Sequence, residues 1–241
     1  MKAVTLPKPV VKRHDRFFVV RDDLLEGGTK IRGAAAVFDA MPDIDEFVYG
    51  GGTAYGHAQI ALSRACRLRG KKFTMFLAKR KKLHPYTQRA VDEGCNLIQL
   101  DFGMLSVTRA RAREYAAEHD NCAEIPIGLN TPEVVAAIAR DARRTGLNPR
   151  EVWCACGSGT LARALKVAWP DADIHGVSVG HKLTDDERGD TILHRCELPF
   201  AKSAKKEDMP PYPSVPNYDA KVWSIAQELA QDDAVIWNVA K

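Results

Sequence analysis

Arg21-Asp22-Asp23-Leu24-Leu25-Glu26-Gly27-Gly28-Thr29-Lys30-Ile31-Arg32-Gly33 is the stretch on which the reading of this sequence turns. The apolar run Phe17-Phe18-Val19-Val20 leads into it and predicts a short strand. Two acids and a Gly-Gly turn follow, then one lysine, then a helix of small residues, Gly33-Ala34-Ala35-Ala36-Val37. A lysine just after a glycine turn and just before a buried helix has two readings. It is a solvated residue at a helix N-terminus, or it is an amine held against apolar walls. In the second case desolvation lowers its pKa, and the neutral amine can attack a carbonyl carbon to form a Schiff base.

Two glycine turns elsewhere carry further chemistry. Cys156-Gly157-Ser158-Gly159-Thr160-Leu161 lies between a predicted strand and a predicted helix. Its backbone N–H groups can close on an anion, the helix start adds partial positive charge, and Ser158 and Thr160 add hydroxyl donors. No Walker lysine follows, so the pattern suits a monophosphate better than a triphosphate. A nucleotide or methyl-donor loop, or a plain strand-helix turn, fits the same residues. Gly50-Gly51-Gly52-Thr53-Ala54-Tyr55-Gly56-His57-Ala58 is a second turn opening a helix, with N–H groups suited to a carboxylate. His57 in isolation reads equally as a packing or capping residue.

Composition bounds the class. The chain has 241 residues, enough for one large domain or two small lobes around a shared cleft, with 45% hydrophobic and 27% charged residues. No apolar run approaches the roughly 20 residues that span a bilayer. Met1 to Pro9 shows no signal-peptide apolar core, so the cytoplasm is the expected location and no membrane partner is expected. The six cysteines form no paired C-x-x-C set, so no metal site is expected and buried reduced thiols are. Cys154 and Cys156 alternate within a predicted strand and are expected to face its opposite sides. The net charge of +4 is mild, but Arg64 to Lys72, Lys79-Arg80-Lys81-Lys82 and Arg109 to Arg113 are basic clusters. They are solvated faces or sites for phosphate oxygens.

Strands and helices alternate along the chain, which predicts α/β with a mostly parallel sheet. Strands are expected at 46–49, 73–77, 96–100, 152–156, 174–179 and 234–239. Helices are expected at about 54–69, 86–93, 106–118, 132–145, 161–168 and 218–230. Residues 123–128 read as a turn-flanked extended segment, 181–195 as a charged segment, and 199–217, with five prolines, as an irregular loop.

The 21–33 stretch resembles the (K/R)-R-D-D-L-x-x-G-G-N-K-x-R-K segment of fold-type-II pyridoxal-phosphate (PLP) enzymes, in the branch of 1-aminocyclopropane-1-carboxylate deaminase and D-cysteine desulfhydrase. Four more motifs keep the family's order. The 157–160 loop resembles its G-S-G-G-T phosphate cradle, one glycine short. The 50–58 loop resembles G-G-x-x-S-N-H-A, which contacts substrate carboxylate and cofactor ring. Ile125-Pro126-Ile127-Gly128-Leu129-Asn130 resembles I-P-x-G-G-x-N, and Tyr218-Asp219-Ala220-Lys221 resembles Y-x-G-K.

The resemblance implies two three-layer α/β lobes around a cofactor cleft, with residues 1–45 and 130–241 in the large lobe and 46–129 in the small one. It implies PLP carried by Lys30 as an aldimine, with Gly157, Ser158, Gly159 and Thr160 on its phosphate. Gly52, Thr53, Ala54, Tyr55 and Gly56 then face the substrate, and Tyr55 and His57 join Lys30 as catalytic candidates. The departures matter. Thr29 replaces Asn, Tyr55 replaces Ser and Gly56 replaces Asn, which removes the family's serine-dependent ring opening. The long helical stretch before Tyr218 is shortened, implying a more open cleft. The terminal H-T-G-G is missing, leaving Asn238 as the candidate partner of the pyridine nitrogen.

The expected activity is that of a PLP-dependent lyase acting at Cα of an amino-acid substrate. The shortened chain resembles enzymes of bacteriophage thymine hypermodification. That implies decarboxylation of an amino-acid-modified thymine in DNA, in the host cytoplasm, with a homodimer as the expected assembly. The alternatives are a deaminase or desulfhydrase of a free small amino acid, a non-catalytic PLP-binding protein, and, from G-S-G-T alone, a methyl-donor-dependent transferase.

Overall fold

The computed structural model describes residues 5–180 and 182–241. Residues 1–4, within the stretch read for a signal segment, and residue 181, at the head of the charged segment, lie outside the described residues. The chain opens on a hairpin, Val11–His14 (β1) and Phe17–Arg21 (β2), and enters helix α1 at Thr29–Ala40. It then lays down β3 (Glu46–Tyr49), α2 (Ala58–Arg67), β4 (Lys72–Ala78), α3 (Pro85–Asp92), β5 (Cys95–Leu100), α4 (Leu105–Glu118) and β6 (Cys122–Glu124). Next come α5 (Pro132–Arg143), β7 (Glu151–Cys156), α6 (Thr160–Ala168), β8 (Asp173–Ser178), α7 (Asp185–Arg188) and β9 (Ile192–Arg195). Helix α8 (Ala220–Leu229) and strand β10 (Val235–Asn238) end the chain.

The strands form two sheets, β1-β2-β10-β7-β8-β9 and β5-β4-β3-β6. Every pairing is parallel except β1 with β2. Strand alternation builds each lobe in three layers. In the smaller sheet Phe47, Phe73 and Met75 pack towards α1 and α2, while Val48 and Phe76 pack with Ala112 of α4. In the larger sheet Val152, Ile174 and Val235 pack with α5 and α6, while Phe17, Val19 and Ile236 pack with Val222 and Trp223 of α8. Among the described residues no helix is long and apolar enough to cross a membrane.

The cysteine expectation is overturned. Cys154 and Cys156 share one face of β7 with Val152, because residues two apart on a strand point the same way; Trp153 and Ala155 take the other face. The helix expected from residue 54 begins at Ala58, since Gly56 N–H donates to the Thr53 carbonyl at 2.9 Å and closes a turn first. The charged segment holds α7, capped by Thr184, and the edge strand β9, while the proline-rich 199–217 stretch has a single short helical turn at Lys206–Asp208.

The Arg-Asp-Asp run is buried and ionic. The Arg32 guanidinium donates to Asp22 Oδ1 at 2.7 Å, to Asp141 Oδ2 at 2.9 Å and to the Pro7 carbonyl at 2.7 Å. Arg21 grips Asp23 through two hydrogen bonds, at 2.7 and 2.8 Å. Asp22 and Arg32 are 1% and 2% exposed, so removing one partner strands the other charge without water. Asp22→Asn is expected to destabilise the protein by about 3–5 kcal/mol in urea unfolding. Arg111→Ala, which breaks the exposed pair with Glu114, should change stability by less than about 1 kcal/mol. Equal effects would mean the buried network is not what holds these elements together.

Candidate active site

Lys30 is placed by a clasp between the start of α1 and the end of β10. Gly28 takes φ +65°, and a Cβ there would sit 2.3 Å from the Val239 carbonyl oxygen, so only glycine fits. Thr29 N–H donates to that same oxygen at 3.0 Å. The Thr29 hydroxyl accepts from Trp237 Nε1 at 2.8 Å and donates to Asp22 Oδ2 at 2.9 Å. Thr29 is thus a structural bolt. Lys30 falls in the first turn of α1 rather than before the helix. Its side chain faces a cavity, and burial lowers its pKa, partly offset by the Asp219 carboxylate.

That cavity has a volume of about 400 Å³, and its lining brings Lys30 together with Gly52, Thr53, Tyr55, Gly56 and His57 from the smaller lobe. Gly157 and Ser158 line it from the larger lobe, and a small recess continues past them to Gly159 and Thr160. The recess is built of glycine and hydroxyls. Gly159 takes φ +70°, and a Cβ there would lie 1.7 Å from the Glu187 carbonyl oxygen. The Ser158 and Thr160 hydroxyls lie 3.1 Å apart, and Thr160 donates to the Gly128 carbonyl at 3.2 Å. Thr160 begins α6, so the positive end of that helix faces the recess. Gly128, from the I-P-x-G-like motif, forms the facing wall at φ +73°.

The 52–57 loop is held from behind by Gln59, which sequence reasoning missed. This side chain is 1% exposed, and its Nε2 donates to the carbonyls of Ala54 at 3.1 Å and Gly56 at 2.8 Å. Ala54 is buried and does not line the cavity; it supports the loop rather than facing a ligand. Burial pushes the His57 pKa down to about 4, and its Nε2 is buried without a hydrogen-bond partner. His57 is therefore neutral near pH 7. Tyr55 meets His84 edge-on at 5.0 Å, and the Arg80 guanidinium lies 5.9 Å over the Tyr55 ring.

The expectation for Asn238 is corrected. Its amide donates to Asp23 at 2.8 Å and to the Pro213 carbonyl at 2.9 Å, and its oxygen accepts from Ser214 at 2.8 Å. With those bonds made, it is absent from the cavity lining. The free acid in the cavity is Asp219, 5% exposed, with neither carboxylate oxygen in a well-formed hydrogen bond. Burial raises its pKa to about 8, against smaller opposing effects from the Val239 and Ala240 backbone and from Lys30. The signal for it was the Y-x-G-K-like motif, whose second position carries the acid. Tyr218 beside it is half-buried, and its hydroxyl lies 2.8 Å from where a Cβ on Gly157 would stand.

The residues fit PLP on these observations: a desolvated lysine, an anion recess and an unpartnered buried acid share one cavity. The sequence matches no family model and no curated protein. Solved structures similar to it include an ACC deaminase homologue, 17% identical over 93% of this chain and 84% of that one, with a TM-score of 0.78. The processed form of threonine deaminase isoform 2 from Solanum lycopersicum is 15% identical over 93% of this chain and 74% of its own, with a TM-score of 0.69. A hydrogen sulfide-producing enzyme from Fusobacterium nucleatum is 13% identical over 98% and 93%, with a TM-score of 0.66. At these identities the likeness concerns the fold, and the chain has the fold-type-II architecture of PLP-dependent enzymes.

Proposed function

We propose that this protein is a PLP-dependent lyase acting at Cα of an amino-acid-type substrate, with Lys30 as the cofactor-bearing and proton-moving residue. The observation that carries the reading is the single cavity shared by Lys30, the 157–160 recess and Asp219. When bound, PLP would supply an electron sink for the bonding pair released at Cα. The residues of this chain do the rest. Lys30 Nζ, desolvated and so neutral at lower pH than an ordinary lysine, would hold the cofactor aldehyde and afterwards carry a proton to or from Cα. Ser158, Thr160 and the N–H groups of their loop would bind the phosphate. Asp219 would face the pyridine nitrogen and share a proton with it. The Gly52–Gly56 loop would hold the substrate carboxylate, with Tyr55 and neutral His57 as proton donors or acceptors beside it.

A narrower reading concerns the substrate. Arg80 leans over Tyr55 at the cavity, and Arg80, Lys81 and Lys82 have no ion-pair partner among the described residues. Cations without an acidic partner beside that ring favour an anionic substrate, and on that ground we extend the reading to an amino acid carried on thymine in DNA, with decarboxylation as the reaction. A deaminase or desulfhydrase of a free amino acid would use the same cavity. Released carbon dioxide, against released ammonia or sulfide, separates them, and filter binding to modified and plain DNA tests the macromolecule.

Two outcomes test the cofactor reading. Protein incubated with PLP should show the visible band of a lysine-linked cofactor, and borohydride followed by peptide mapping should place the label on residue 30. Lys30→Ala should lose both; a label elsewhere refutes the assignment. The acid gives a pH signature in the cofactor-free protein. A folded-state pKa of about 8, against 3.8 ordinarily, means the fold holds this proton more tightly than the unfolded chain does. Stability from this group is complete below about pH 4 and is lost as pH rises through about 8. Asp219→Asn should therefore gain on the wild type between about pH 5.5 and 8.5 by at least about 1.4 kcal/mol, the equivalent of one pKa unit. A constant difference across that range in urea unfolding would show that Asp219 titrates normally.

A further inference from the structure

The segment between β9 and α8 gives the cavity two apolar side chains, Phe200 and Val215. Its path is pinned. Lys221, 2% exposed on α8, donates its ammonium to the Pro199 carbonyl at 2.9 Å and the Leu198 carbonyl at 3.5 Å. Asn217 Nδ2 donates to the Phe200 carbonyl at 3.3 Å, and Ala204 N–H to the Pro216 carbonyl at 2.8 Å. Phe200 then meets Tyr218 edge-on, with ring centres 6.4 Å apart. A lysine buried on backbone carbonyls alone carries a desolvation penalty, and what it secures is the turn that carries Phe200.

The rest of the lining agrees in character. Tyr49, Tyr55, Leu105 and Ile127 face the same space, and no arginine is among the described residues that line it. The Arg80 guanidinium lies over the Tyr55 ring and outside the lining, so a substrate side chain with its own carboxylate would find no guanidinium in the lining itself to pair with. A methyl group would leave apolar walls without partners. A flat ring fills such a space and gains from an offset or edge contact with Phe200.

We infer that Phe200 is a specificity wall for an amino-acid substrate whose side chain carries a flat aromatic or heteroaromatic ring. The inference rests on the PLP reading, because the cavity is then shared between cofactor and substrate side chain. Phe200 selects which amine enters; it does not act on Cα.

The test is a spectral titration of the PLP-loaded protein, reading the shift of the cofactor band rather than turnover. Both enantiomers of phenylalanine, of a pyrimidinylalanine and of alanine serve as probes. The ring-bearing amino acids should reach half-shift at concentrations on the order of 10-fold below alanine. In Phe200→Ala that ratio should fall to within about 2-fold. Phe200→Leu, which keeps bulk and apolarity but loses the ring, should also lose most of it. If the band is present and fixed to residue 30 but ring-bearing amino acids hold no advantage, the specificity wall is refuted and the cofactor reading stands. An advantage that survives both substitutions refutes it equally. No band at all takes down the cofactor reading, and the wall with it.

Discussion

The position of Lys30 depends on one buried ion pair. Arg32 stands two residues beyond it on α1 and is locked to Asp22, which follows β2 directly, and to Asp141 on α5. Asp22 also receives the Thr29 hydroxyl, and Thr29 receives the Trp237 indole from β10. The Asp22 carboxylate therefore holds the start of α1 directly, and Thr29 and Arg32 extend the link to β10 and α5. A buried pair of this kind is a weak source of net stability, since desolvation offsets much of the Coulomb gain. Its effect is positional. The helix that carries Lys30 has one way to dock in which neither Arg32 nor Asp22 loses its partner.

The same economy of charge shapes the cavity. Burial favours the neutral forms of both Lys30 and Asp219; Asp219 offsets this at Lys30, while at Asp219 the Val239 and Ala240 backbone offsets it more than Lys30 does. Arg32 and Arg21 are paired with their own acids, and of that network Asp23 adds to the upward push on Asp219. His57, driven neutral by burial, adds an uncharged polar site with an unpartnered nitrogen.

The parts legible in the sequence were those whose physics is local. Glycine turns, their flanking strands and the Thr131 cap of α5 are fixed by neighbours a few residues away, and they were read in order. The edge strands β1 and β9 were not. They are short and partly polar, and pairing with a neighbour rather than their own pattern makes them strands. Gln59 and Phe200 matter through what the fold sets opposite them, which no spacing encodes; Asp219 sits in a legible motif, but its lack of partners shows only in the fold. Asn238 failed for the reverse reason: its type suits a ring-nitrogen partner, but Asp23, Ser214 and Pro213 use its hydrogen bonds. The cysteine pair was a misapplied period, since on a strand every second residue returns to the same face.

Gly56 lies in the loop that lines the cavity beside Tyr55. Its backbone does not take the positive φ that marks Gly28, Gly128 and Gly159. A Cβ there would come no nearer than 3.3 Å, to the Thr53 carbonyl oxygen, a tight contact but not a forbidding one. Neither turn geometry nor packing therefore demands glycine at 56. What its missing side chain does is keep space open in the cavity beside Tyr55, while Gln59 does the work of holding the loop in shape. The two departures at 55 and 56 then belong together. A larger ring at one position stands next to no side chain at the other, and the loop that carries both is held by the Gln59 amide.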